Sequence, residues 1–579
     1  MLAAGSDAGP EFLRHLIAMG VDPEQRDQDG RRAIEHALGA GRWPLVAVLD
    51  PTYPLPASVA EGLAEGSFEK SPRELLREAL VAGRLESAEA MLRLGAGPDA
   101  TGLASLLLEF AGDADLAMFD WLLRHGAVAD TRVDDQDSAF MHLLDRGGLA
   151  SAALQRLLDR GQPVAGRGGL ARWLQACLAG EHISRGHENF AIALLERGAD
   201  AFGGAPADPP LGLAIRLGWL RLAQALLAAG ANPNDRDGHG HTPLHAAAAL
   251  GREAALQLLV RYGASPSLCA PDGQTPLGLA LAAERRELSH WLEWRQWQLP
   301  GRTLQPADLP AAAMAGDADA VARLLELDLP VDATDAQGCT ALLRAAGGGH
   351  ETVVERLLAR GADTRIAART GATPLSAAIS MRHVGVVDRL LRAGAEPDLP
   401  LPGEVTPLML AAALGQPELI SRLLAHGADP EARDAQGLSP LHCAALHAFS
   451  SRDRQRVLAL VDVLLLADVE PDAPNAAGQT PLLLLLGARA EPGTACDEDV
   501  LLAGLERLLA EGVALDAADQ RGLTPLHLAA MHGLARVVQR LLREGADRNA
   551  RDILGRSPHD LAVLRGFVDV AAEFEPGRA

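Results

Sequence analysis

Aromatic side chains make up only 3% of the 579 residues, and just two are tyrosine. A core built almost without them must come from Ala, Leu and Val, which suits thin helices packed about 8–10 Å apart. Lysine is nearly missing: Lys70 is the only one among 53 basic residues. That bias matches a GC-rich genome, since Arg, Ala and Gly codons are GC-rich, and so points to a bacterial source. It also removes the phosphate sites that depend on a loop lysine. The five cysteines (Cys177, Cys269, Cys339, Cys443 and Cys496) are scattered, with no Cys-x-x-Cys pair. They read as small core residues in a reducing compartment. No charged segment followed by an apolar one opens the chain, and nothing reaches the roughly 18 apolar residues of a spanning helix. Leu482 to Leu486 is a run of only five leucines. Positive charge is in deficit as well, with a net charge of −23, which argues against nucleic acid or an anionic membrane as partner. The expectation is a soluble, cytoplasmic chain.

What is abundant is repetition. Thr340-Ala341-Leu342, Thr373-Pro374-Leu375, Thr406-Pro407-Leu408 and Ser439-Pro440-Leu441-His442 follow one another at intervals of 33 residues. A fixed period means one supersecondary unit stacked on itself, which is how 579 residues can fold without one large core. Each unit has the same internal logic. Thr242 can cap a helix, Pro243 takes the first helical position, Ala246, Ala247 and Ala248 allow close approach, Leu256, Leu258, Leu259 and Val260 fill the space between units, and Gly263 stops the second helix. An Asp-x-x-Gly stretch before each cap (Asp237 to Gly240, Asp335 to Gly338, Asp434 to Gly437, Asp519 to Gly522) reads as a hairpin turn. Period, Thr-Pro-Leu-His signature and flanking glycines together resemble the ankyrin repeat, strongly over residues 209–579 and weakly over 1–208. The resemblance implies an all-α ankyrin solenoid of helix-turn-helix units with β-hairpin loops, some 15 to 17 units in two stacked arrays.

Taken in order, the chain opens in mid-repeat. Leu2 to Gly5 reads as the tail of a first helix, Glu11 to Met19 as a second, and Gly20-Val21-Asp22 as the post-helix turn. An array should open with a capping unit, so a module upstream of Met1 is expected; an in-frame stop codon just before Met1 would sink that idea. A degenerate unit begins at Arg32-Ala33-Ile34, and Pro51, Pro54 and Pro56 force an irregular connection over residues 51–70. Decayed units start at Ser71-Pro72, Thr101-Gly102-Leu103, Ser138-Ala139-Phe140 and Gly168-Gly169-Leu170. Their second helices end at Gly95, Gly126, Gly161 and Gly198.

The period then slips. Thr275 to Thr340 spans 65 residues, one short of two repeats, and a second helix is expected to run on through Trp291, Trp294 and Trp297 to Pro300. This reads as a seam where tryptophans pack, or else as an aromatic docking site for a partner helix. A new unit begins near Ala307. After Ser439 the interval stretches to 41 and 44 residues. The additions are placed between helices, around Ala448–Gln455 and Arg489–Glu498, with a smaller one near Gly180–Asn189. The first late loop carries Arg452, Arg454 and Arg456, the second Glu491, Asp497, Glu498 and Asp499. They are expected to lean on each other as surface ion pairs, or to form a composite recognition patch. Asp569, Glu573 and Glu575 are expected to give the last unit a polar outer face. Four regions result: partial units and a Pro-rich connection in 1–70, degenerate repeats in 71–208, regular repeats ending in a Trp-rich helix in 209–300, and a second regular array with two insertions and a cap in 301–579.

No catalytic or phosphate-binding arrangement appears: there is no Walker-type loop, His-Glu-x-x-His helix or Gly-x-Ser-x-Gly elbow. His239, His241 and His245 with Asp237 have the spacing of a metal site. Yet His245, His442 and His527 share one repeat position, where the resemblance implies a histidine bonded to backbone between units. No metal, cofactor or enzymatic activity is therefore expected. What the resemblance implies is binding of other proteins on a concave face of hairpin tips and first helices. Carried over by position, the tip residues are Arg236, His239, His241, Thr334, Gln337, Arg369, Thr370, Arg433, Gln436, Leu438, Gln520, Arg521 and Leu523. The chain then serves either as a stand-alone interaction scaffold, or as the recognition arm of a larger enzyme, membrane protein or secreted bacterial effector.

Overall fold

A Thr-Pro pair specifies a helix start in two ways. The hydroxyl satisfies an N–H that the first turn leaves without a partner, and the proline occupies a position whose missing donor would have been idle. In the computed structural model, Thr340, Thr373 and Thr406 accept from the backbone N–H of Leu343, Ser376 and Met409 at 3.2, 3.2 and 3.3 Å. Such a cap is worth about 1 kcal/mol. The structure describes Ala4 and residues 10–56, 71–93, 95, 97–113, 115–134, 137–161, 169–180, 185–199 and 208–575.

Among the described residues, the helix Pro10–Ala18 is followed by sixteen helix pairs, from Ala33–Gly39 with Trp43–Leu49 to Pro558–Arg565 with Val568–Ala572. First helices pack on neighbouring first helices, and second helices on second helices. Small residues make the first contact possible: Ala247, Ala248, Ala345, Ala346, Ala411 and Ala412 are fully buried. The second helices contribute Leu256, Leu259, Val260, Leu357, Leu390 and Leu423. Each buried aliphatic side chain contributes about 1.5–3 kcal/mol. Leu258, expected in the same layer, is only half-buried.

The chain divides into two compact units, Met1–Glu293 with Gly301–Thr303, and Trp294–Pro300 with Leu304–Ala579. Within each, two kinds of hydrogen bond fasten one repeat to the next. The histidine of Thr-Pro-Leu-His supplies one. The other caps the end of a neighbouring first helix: His350 reaches the Met314 carbonyl (3.2 Å), His383 that of Gly347 (3.1 Å), and the Gln416 amide donates to Ile379 (3.1 Å). In the first unit Arg252 does the same to Arg216 at 2.8 Å.

The early repeats keep the helices and change the fastenings. Ser71 caps Pro72–Val81 and Ser138 caps Ala139–Asp145, as expected. The unit assigned to Thr101 instead begins two residues earlier. Asp99 accepts from Gly102 N at 2.7 Å, so the better cap wins and the helix runs Ala100–Phe110. Gly95, Gly126, Gly161 and Gly198 all have positive φ after their helices. Most of Leu2–Gly5 and of the 51–70 connection, Gly168, and part of the Gly180–Asn189 insertion lie outside the described residues.

Four expectations need correction. Among the described residues there is no strand: the hairpins reduce to isolated bridges such as Thr334–Thr340 and Leu401–Val405. The tryptophan helix stops at Leu292, with Glu293 extended. Asp317, which caps Ala318–Glu326, takes the Gln296 and Trp297 N–H groups at 3.1 and 2.9 Å and holds that segment out of a helix. Trp291 is buried in the first unit and donates to Glu253 at 3.0 Å. Trp294 and Trp297 meet edge to face at 5.8 Å in the second unit, with the Arg323 guanidinium 4.9 Å from the Trp294 ring.

The third correction concerns the 448–455 insertion, which extends helices, whereas the second addition is a loop over residues 486–497 between Pro481–Leu485 and Glu498–Ala510. Pro440–Ser450, Arg454–Leu465 and Glu498–Ala510 are longer than the usual seven to nine residues. The two charged segments do not pair. Arg456 bonds Asp453 at its own helix start, while Glu498 and Asp499 bind the Arg536 backbone and side chain in the next repeat. Fourth, the outer face of the last repeat is mixed: Val563, Leu564 and Val568 are exposed beside His559, Asp560, Arg565 and Asp569.

Candidate partner-binding surface

Several turn tips are closed by one carboxylate, while Ala368, Leu401 and Asn475 hold that position in others. In Asp434-Ala435-Gln436-Gly437, the Asp434 carboxylate accepts from Gln436 N and Leu438 N, both at 2.8 Å, while Gly437 turns the chain at φ 75°. Asp237, Asp335, Asp519 and Asp552 make the same pair of bonds. For Asp335 and Asp552, burial alone would raise the carboxyl pKa, but backbone N–H groups and an arginine (Arg344, Arg556) hold it below the ordinary value. The carboxylate is a structural brace.

Neighbouring tips are joined backbone to backbone. Arg369 N donates to Gln337 O (3.2 Å), Ala435 N to Gly403 O (3.0 Å), Ala476 N to Gln436 O (3.0 Å), Gln520 N to Ala477 O (3.2 Å) and Ile553 N to Arg521 O (3.1 Å). The second unit therefore carries a ladder of tips, from which side chains project.

Those side chains fall into three groups. Leu438 and Leu523 are buried and so are unavailable to a partner; as apolar residues just after the turn glycine, they fold back under it. Arg236, Arg433 and Arg521 are anchored within the fold. Arg236 donates to Gly240 O and Cys269 O at 2.7 and 2.9 Å, Arg433 to Gly437 O and Pro474 O at 3.4 and 3.0 Å, and Arg521 to Ala488 O at 2.9 Å. Gln337 accepts from Arg344, and Gln520 donates to Ala476 O at 2.9 Å. His239, Thr334, Arg369, Thr370 and Gln436 are exposed, and His241 is half-buried beside Asp237.

Two features escaped the sequence reading. The signature Arg-Asp-x-x-Gly, at Arg26, Arg236, Arg433 and Arg551, marks an arginine bonded to its own turn glycine carbonyl. The last tip carries Ile553 and Leu554, 71% and 68% exposed, where other tips carry polar or small residues.

The shared histidine is a fastener. His245 Nδ1 accepts from Thr242 N at 3.2 Å, and its Nε2 lies 3.2 Å from Gln274 O of the next repeat. His442 and His527 repeat this with Gln479 O and Arg556 O, each at 3.0 Å. Carbonyl contact requires the proton on Nε2, so the rings are neutral and both nitrogens are occupied. Burial lowers the pKa of all three, that of His442 to about 4. His245 is thus committed to the fold and not to a metal, and no group of three or more His, Cys, Asp or Glu among the described residues could hold one.

Reactive groups are quenched in the same way. Burial pushes the Cys177 and Cys443 thiols up to about 12, the reverse of an activated nucleophile. A groove of about 300 Å³ is lined by Ile215, Trp219, Leu220, Arg252 and Glu253. Its two charged residues are already engaged, Arg252 with Arg216 O and Glu253 with the Trp291 indole. No helix of the described residues is long and apolar enough to cross a membrane.

Family models of ankyrin repeats match residues 211–292 and 309–400, 408–452, and 508–562. No curated protein matches the chain. With the capped helix pairs, the Asp-closed turns and the histidine fasteners, these matches establish the fold as an all-α ankyrin-repeat solenoid.

Proposed function

We propose that this chain is a non-catalytic scaffold that binds partner proteins along the turn tips and the adjoining first helices. Ankyrin repeats are in general protein–protein interaction modules. The observation that carries the reading is the tip ladder of the second unit, a braced backbone from which Thr334, Arg369, Thr370 and Gln436 project into solvent. Arginine is enriched among residues that dominate binding energy, and Arg369 has no ion-pair or hydrogen-bond partner for its guanidinium among the described residues. The proposal includes a reducing, cytoplasmic setting, which suits five free cysteines, and a bacterial source.

The test compares the full chain with a triple variant, Arg369→Ala, Thr370→Ala and Gln436→Ala, in crosslinking mass spectrometry from native lysate. Proteins crosslinked near these tips in the wild type should fall at least tenfold in the variant. Equal recovery from both chains would overturn the assignment of binding to the tips.

A further inference from the structure

Along the second helices of the second unit, arginines are matched to carboxylates. Arg356, Arg389, Arg422, Arg507 and Arg540 reach Asp319, Glu355, Asp388, Asp462 and Glu506, each in the preceding repeat. Three arginines near the turns between paired helices break that rule. Arg382 follows Pro374–Ser380, and Arg452 and Arg454 follow Pro440–Ser450. All three are exposed, and their guanidinium groups have neither ion pair nor hydrogen bond among the described residues. Arg456 pairs with Asp453 at 3.5 Å, and that carboxylate also caps Arg454–Leu465. His447 stands between the two sources of positive charge. Its Nδ1 lies 3.1 Å from Ala413 O. Burial lowers its pKa against the pull of that carbonyl, and the charges of Arg456 and Arg382 lower it further. The turn between them, Ala413 to Gln416, contains no acid, and the nearby Glu418 is held by Arg422 at 2.9 Å.

Helix lengths shape the place. Pro440–Ser450 and Arg454–Leu465 carry their extra residues at the turn that joins them, so this pair stands about one helical turn, roughly 5 Å, beyond Pro407–Ala413 and Pro417–Ala425. The result is a step, with Arg452, Arg454 and Arg456 on its raised side and Arg382 across it. Arg382 holds φ 63° at the position that neighbouring repeats give to Gly349 and Gly415. A side chain is strained there, and strain of this kind gathers at binding sites. We infer that this step binds an acidic segment of a partner protein, whose carboxylates are taken by Arg382, Arg452, Arg454 and Arg456. The site lies at the opposite end of the first helices from the turn tips and is separate from them. Charge placement selects a short acidic segment over nucleic acid. At physiological salt charges act over about 8 Å, so a short segment meets the arginines alone. An extended polyphosphate would run on across a chain of net charge −23.

Fluorescence anisotropy of a labelled octaglutamate peptide titrated with the full chain tests this. The wild type should bind it with a dissociation constant below about 1 mM at about 50 mM NaCl, and binding should weaken as salt rises. Arg382→Ala, Arg452→Ala and Arg454→Ala together should raise that constant at least tenfold. Arg360→Ala, Arg543→Ala and Arg565→Ala together remove exposed, unpaired arginines elsewhere and should leave it within about twofold. Arg382→Gly separates recognition from folding: it should raise the urea midpoint read by circular dichroism and still weaken the peptide at least threefold. No binding, an equal loss in the control variant, or a thymidine oligonucleotide held more tightly than the peptide by the same arginines would overturn the inference.

Discussion

The repeats of residues 71–199 and those of residues 340–450 have the same helix pairs but different fastenings. The later set closes one turn with Asp434, caps each first helix with Thr or Ser and ties neighbours through His350, His383, Gln416 and His442. The earlier set keeps Leu106, Leu122, Leu143 and Leu157 fully buried and its positive-φ glycines. It uses Asp99 as a cap, and Arg146 in place of a histidine or glutamine to reach a neighbouring carbonyl, that of Leu108. The leucine layer therefore defines the unit, and the polar fastenings make the units regular.

Removing the shared element should affect both regions most. Leu408→Ala and Leu122→Ala each empty a fully buried site and should each lower stability by about 2–5 kcal/mol, read as the shift of urea midpoint by circular dichroism. If Leu122→Ala proved nearly silent, the leucine layer would not be common to both.

A fastening should matter next, and only in the later region. His442→Ala leaves the Ser439 N–H without its acceptor and removes one of the two bonds to Gln479 O, which should cost about 1–3 kcal/mol. The same histidine predicts a pH effect. Its folded-state pKa, near 4, lies below the unfolded value near 6.5, so the unfolded chain binds more protons in between. Its contribution is complete above pH about 6.5 and is lost as pH falls towards 4. Amide protection factors, corrected for the intrinsic pH dependence of exchange, should fall at the Ser439 and Thr524 repeats over that window, while residues 71–124, with glutamate or glycine at the third helical position, respond less. A flat profile at the Ser439 repeat alone in the His442→Ala chain, with the Thr524 repeat still responding through His527, would identify the group.

Caps come third. Thr406→Ala should cost about 1 kcal/mol, and Asp99→Ala a similar amount if the early region relies on its displaced cap. The smallest effect belongs to the tips: Arg369→Glu should move the urea midpoint by under about 0.5 kcal/mol while changing partner recovery.

The helix pairs from Pro210 onwards were legible because Thr, Pro, Leu and Gly recur at fixed offsets and each has one physical use. Departures from the period were harder to read. Trp291, Trp294 and Trp297 have helical spacing, yet a carboxylate twenty residues away decides where their helix ends. The 448–455 addition looked like a loop because it lengthens the interval, but Val457, Leu460, Val461 and Leu464 have helical spacing and extend the second helix, while the 489–498 addition is the loop it looked like. The last repeat was judged by its acids, whereas its face depends on which side of the helix Val563 and Leu564 occupy. Arg236 and Arg433 resembled free anchors because the bond to their own turn carbonyl has no charged partner to betray it.

The aspartate brace separates two kinds of change. Since the bonds that close the turn run from backbone N–H groups to the carboxylate, the two residues between Asp and Gly are not specified by the turn they form, and the series Gly-His, Ala-Gln, Gln-Arg and Ile-Leu occupies one backbone shape. Recognition can then drift under mutation while stability stays put. A partner meeting such a tip also has little backbone entropy left to quench. An array built in this way is a set of fixed sockets with exchangeable contents.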